Sequence, residues 1–86
     1  MPTHTKIALD AREMAHPAPL EHAIKALQQL NTTNYFYMLH RKNPIPLIDL
    51  AQEHQLNALS HEDTQGTWHI LIAKDATLNL KELLNV

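Results

Sequence analysis

The 86-residue sequence has no cysteine and one glycine, and its aromatic residues are one tryptophan, two tyrosines and one phenylalanine. Without cysteine there is no disulfide, zinc-thiolate site, iron-sulfur ligation or thiol nucleophile. With Gly66 as the sole glycine there is no glycine-rich phosphate loop. No apolar run approaches the roughly 20 residues of a membrane span, and the N-terminus lacks the apolar core of a signal peptide. A net charge of -2 leaves no basic footprint for nucleic acid, and Arg41-Lys42 is the only pair of adjacent cations. The expectation is a cytoplasmic protein with neither nucleic acid nor membrane as partner.

What is present suits one globular domain over residues 1–86, with a core at about residues 6–73 and an extension over 74–86. Its 44% hydrophobic content is enough to order a small chain. No internal repeat, linker or low-complexity segment interrupts it. Met1 to Thr5 reads as a loose tail that includes His4. Lys6 to Asp10 alternates, with Ile7 and Leu9 on one face, as a half-buried strand does. Pro17 and Pro19 suit the first turn of a helix. From there Leu20, Ala23, Ile24, Leu27 and Leu30 recur at helical spacing, and Asn31-Thr32-Thr33-Asn34 ends the run.

Tyr35 to Leu39 is a continuous apolar run that reads as a central strand. Lys42 to Pro46 is a stiff loop, and Pro46 opens a second helix that carries Leu47, Leu50 and Ala51 inward to about His54. Leu56 to Glu62 and Thr67 to Ala73 form a hairpin around Asp63-Thr64-Gln65-Gly66, with Trp68, Ile70 and Ile72 on one face. Thr77 to Leu84 reads as a short helix capped by Thr77, whose leucines dock on the sheet. The order implies an α+β, two-layer sandwich of β-α-β-α-β-β type. Two helices cover one face of a four-stranded mixed sheet, and the first two strands run parallel.

In a parallel pair the C-terminal strand ends share one edge with the helix starts. Arg12 and His16 leave the first strand there, and His40 and Arg41 leave the second. Three readings of this cluster follow. Two arginines beside positive helix ends suit an anionic ligand or a partner's carboxylate. His16 and His40 are candidate metal ligands. Asp10 and Arg12 pair across a turn that Pro17, Pro19, Pro44 and Pro46 stiffen. Binding is favoured over metal because two histidines flanked by arginines make a poor cation cage, and no third ligand is evident. His22 and His54 read as surface residues, His61 as a solvated hairpin end, and His69 as a cover for the sheet. No nucleophile, base and orienting group appear together, so no catalytic residues are expected.

The motifs Leu9-Asp10-x-Arg12 with Pro17-x-Pro19-Leu20, and His40-Arg41-x-x-Pro44-x-Pro46-Leu47, resemble the domain of unknown function 2249 family over Lys6 to Ala73. That family is similar to the TusA/SirA-like sulfur carriers, which share the strand and helix order derived above. The resemblance places His16 where those carriers hold a reactive cysteine, and an imidazole cannot carry a persulfide. Relatives joined to, or encoded near, hemerythrin-like and nitrogen-oxide-related proteins imply redox or iron physiology.

The expectation is a non-enzymatic binding or accessory module, monomeric or weakly dimeric. It holds an anionic ligand or a partner protein through Arg12, His16, His40 and Arg41, with no cofactor expected although a metal is possible. The alternatives are a histidine-based metal or haem-linked redox protein, and a sulfur-transfer relative that has lost its cysteine.

Overall fold

A computed structural model describes residues 4–84. The elements are β1 (Thr5–Asp10), α1 (Ala18–Leu27), β2 (Asn34–His40), α2 (Ile45–Glu53), β3 (Asn57–Glu62), β4 (Trp68–Ala73) and α3 (Leu80–Leu84). The strands lie in the order β1-β2-β4-β3, with β1 parallel to β2 and the other two pairings antiparallel. This is the α+β sandwich that the sequence implies.

Alternation along the strands divides the sheet into two faces. On one, Phe36, Met38, Ile70 and Ile72 are sealed beneath Ala23 and Ala26 of α1 and Leu47 and Ala51 of α2. On the other, Leu71 and Ala73 pack against Leu80 of α3, with Tyr35, Tyr37 and Leu59 beside them. The apolar run Tyr35 to Leu39 is thus a central strand with apolar neighbours on both faces.

Most boundaries fall within a residue of the sequence reading, and larger differences arise at the end of α1, the start of α3 and the N-terminal tail. The α1 helix ends at Leu27 rather than near Asn31. The amides of Gln29 and Leu30 bond three residues back, to Ala26 and Leu27, and the Asn34 side chain then holds the Gln29 carbonyl and the Asn31 amide. A tightened last turn of this kind commonly closes a helix. The α3 helix starts at Leu80, because the amide and hydroxyl of Thr77 both bond Asp75 Oδ1 in a separate turn. Asn79 caps α3 instead, its Oδ1 accepting from the Glu82 amide at 3.3 Å. His4 is not loose but bonds Asp75 through Nε2 at 3.0 Å, while residues 1–3 of the expected tail lie outside the described residues.

The expected β3–β4 turn forms at Asp63-Thr64-Gln65-Gly66. Asp63 Oδ1 accepts from the amides of Gln65 and Thr67, and Gly66 takes φ +82°, a region where a side chain is strained. The leucines of α3 dock as expected, except Leu83, which stays exposed.

Candidate functional site

At the edge where β1 and β2 end, the loops into α1 and α2 enclose a cleft of about 510 Å³, a size suited to a small molecule or one to two side chains. Met14, Leu20 and the exposed Ile45 supply apolar surface over the buried Met38 and Leu47, and His16, His40, Arg41, Lys42 and Asn43 supply the polar groups. Prolines shape the start of each of the two helices. Pro17 and Pro44 precede the first residues of α1 and α2, Pro19 and Pro46 sit in the first turns, and the His16–Pro17 peptide is cis.

Among the described residues His40 is the one buried polar side chain, with 7% of its surface exposed. Its Nδ1 accepts the Arg41 amide at 2.9 Å. A neutral imidazole has one lone pair, so Nε2 carries the proton. Among the described residues nothing accepts from that Nε2, yet no buried side-chain nitrogen lacks a partner; Nε2–H is therefore not sealed in the core, and His40 is one of the residues that line the cleft. Burial lowers the pKa of His40 below the usual 6.5, and the charges of Lys42 and Arg41 lower it further. Protonation would place a third charge beside two cations with less water to screen it.

Arg41 and Lys42 are exposed, and neither takes part in an ion pair among the described residues. Asn43 Oδ1 accepts the Ser60 hydroxyl at 2.7 Å, which leaves its amide NH₂ as a donor. The helix starts contribute less than the sequence suggests. The Ile45 amide bonds Asn43 O, the Leu47 and Ile48 amides bond Pro44 O, and Pro46 has none. At α1, the Ala18 and Glu21 amides are bonded to Ala15 O and Pro17 O. These ends supply a positive dipole but few free donors, because the proline turns consume them.

The chain belongs to the DUF2249 family. The family model, described as an uncharacterized conserved protein, matches residues 8–74. No curated protein and no solved structure matches the chain. The matched DUF2249 segment contains every residue of the cleft and stops before α3.

Within this DUF2249 domain the four polar groups expected to converge do so only in part. His16, His40 and Arg41 line the cleft, and Arg12 does not. Arg12 pairs with Asp10 instead, donating from Nε at 2.9 Å and Nη2 at 2.7 Å, while its amide bonds the same carboxylate. These bonds hold the Asp10 carboxyl down to about 2. Asp10 alternates onto the α3 face of the sheet and draws Arg12 with it, where its charge acts on Tyr37.

That second face carries an arrangement the sequence did not reveal. Tyr37 Oη lies 2.7 Å from His69 Nδ1, and His69 Nε2 lies 2.9 Å from Asp63 Oδ2. The bonds from His69, then from the Gln65 and Thr67 amides, lower the pKa of Asp63. As a carboxylate it accepts from Nε2–H, so Nδ1 accepts from the phenol. Burial raises the pKa of the phenol, which keeps its proton. The chain of bonds ties the hairpin turn to β2, giving His69 more than the sheet-covering role expected of it.

His22 and His54 are exposed, as expected. Among the described residues no three His, Asp or Glu side chains are grouped to hold a metal ion, and no helix is long and apolar enough to cross a membrane.

Proposed function

We propose that this domain is a non-enzymatic binding module whose cleft takes an anionic group joined to an apolar body, either a small amphiphilic acid or an acidic and apolar segment of a partner protein. The observation that carries this reading is an apolar cleft lined by Arg41 and Lys42, which form no ion pair among the described residues, and by His40, whose Nδ1 is engaged and whose Nε2–H is left to donate. Arg41, Lys42, the neutral His40 and the Asn43 amide all donate, and a carboxylate accepts without having to donate. The same bonding speaks against proton-transfer chemistry at His40, whose only lone pair is engaged. Among the described residues no group orients His16 as a base.

The histidine metal site remains a second reading, because His16 and His40 both line the cleft. It requires His40 to release the Arg41 amide or lose its Nε2 proton, since a metal takes the lone pair.

The test is an NMR titration with octanoate, its methyl ester and zinc chloride in separate arms. Octanoate should give saturable shifts at Met14, Met38, Leu47 and His40, and the ester should bind more weakly. Arg41→Ala should lower octanoate affinity about tenfold, the scale of one charge-assisted hydrogen bond, without unfolding the domain. Equal affinity for acid and ester, or an unaffected Arg41→Ala variant, would refute the anionic reading. Saturable zinc shifts confined to His16 and His40, with no octanoate response, would replace it with the metal reading.

A further inference from the structure

We propose that β1 is the interface of a two-fold dimer in which two copies of this chain pair antiparallel about Ala8 and join their sheets into one of eight strands. The inference starts from which backbone groups β1 leaves free. In a parallel pair, alternate residues send both N–H and C=O to the neighbour, and the others point away. The Thr5 amide bonds Thr33 O and the Ala11 amide bonds Leu39 O, at the two ends of one register. Thr5, Ile7, Leu9 and Ala11 therefore face β2, while Lys6, Ala8 and Asp10 present their N–H and C=O outward. With the strand order β1-β2-β4-β3, no strand among the described residues receives them.

An edge of this kind is a template for another strand unless something blocks it. A lysine usually does, because an unpaired charge resists burial against a like edge. Here Lys6 is two residues before Ala8 and Asp10 is two after. Antiparallel pairing centred on Ala8 sets Lys6 opposite Asp10 of the second copy and Asp10 opposite Lys6 of the second copy. All three outward residues become hydrogen-bonded pairs, and the small Ala8 meets its own copy on the axis. The side chains of Lys6, Ala8 and Asp10 are exposed and share the α3 face, so the charges meet on one side of the joined sheet. Asp10 accepts three bonds from Arg12 and keeps a lone pair for the lysine.

The other side of the strand is compatible. Between β1 and α1 runs a shallow groove of about 230 Å³ with Ile7, Leu9 and Phe36 along it. Ile7 and Leu9 are only half-buried, and the same axis sets Ile7 opposite Leu9 of the second copy. The β3 edge has no such complementarity. Its pairing with β4 turns Ala58, Ser60 and Glu62 outward, a self-pairing would oppose Ala58 to Glu62, and the Ser60 hydroxyl is already bound to Asn43 of the loop before α2.

One short strand buries a small area, so the dimer is reversible and concentration-dependent. In sedimentation equilibrium of the full chain, the average mass should rise from 9.8 kDa toward twice that value as concentration increases. Ala8→Pro removes an outward N–H and no bond of the β1–β2 ladder, so it should leave a folded monomer. Lys6→Glu should weaken dimerisation about tenfold, and Lys6→Glu with Asp10→Lys should recover most of it. Amide spectra of each variant confirm the fold. A monomer at every concentration overturns the proposal, as does a dimer unaffected by Ala8→Pro and Lys6→Glu.

Discussion

One backbone amide sets the polarity of the cleft. By donating to His40 Nδ1, Arg41 leaves the imidazole a donor at Nε2, and burial beside two cations disfavours its charged form. Since the folded pKa lies below the unfolded value of 6.5, the folded protein takes up this proton less readily than the unfolded chain. The stability that His40 contributes is complete above about pH 6.5 and is lost as the pH falls through the lower, folded value. The urea midpoint should therefore drop between pH 7.5 and pH 5, and His40→Gln should reduce that drop; an equal drop in the variant would dissociate the effect from His40. Much of this scale was legible in the sequence. Asp10 and Arg12 sit two residues apart at a strand end, close enough to find each other in any fold with that turn, and His40 follows a strand that had to end near the helix starts. The sequence puts Arg12 at the right edge but not on its side of the sheet, because its bidentate partner decides which face it joins. The Tyr37–His69 bond spans 32 residues and exists only because β2 and β4 are neighbours, which local pattern does not encode.

At the scale of elements, hydrophobic period identified every strand and helix, and side-chain hydrogen bonds moved the ends. Thr77 has the chemistry of a helix cap, yet Asp75 two residues earlier captures both its amide and its hydroxyl, and the helix waits for Asn79. Short polar residues compete for the same backbone groups, so a cap read from one residue fails when a stronger acceptor precedes it. The five-residue α3 has too few turns to persist alone and is held by what it covers. Leu80→Ala should cost about 2 kcal/mol in a denaturant titration, the low end for a buried leucine because a peripheral helix can settle into the gap. A loss below about 0.5 kcal/mol, the range of surface substitutions, would mean that α3 is not docked.

Over the whole molecule, the class of sheet followed from the sequence, whereas the insertion of β4 between β2 and β3 came from the structure. That insertion gives β2 and β4 neighbours on both sides and leaves β1 at an edge. Hydrogen exchange in dilute solution should be slowest along β2 and β4 and fastest within the sheet at the outward amides of the two edge strands, Lys6 and Ala8 of β1 and Ala58, Ser60 and Glu62 of β3. Uniform protection of all four strands would contradict the edge position of β1. The bond between His4 and Asp75 joins the start of β1 to the turn that follows β4, and α3 packs on Ala73 and Tyr35 nearby. Both ends of the described chain consequently lie across the sheet from the cleft. A tether fixed at either end would hold the domain like a cup by its base, with the mouth of the cleft turned away from the tether.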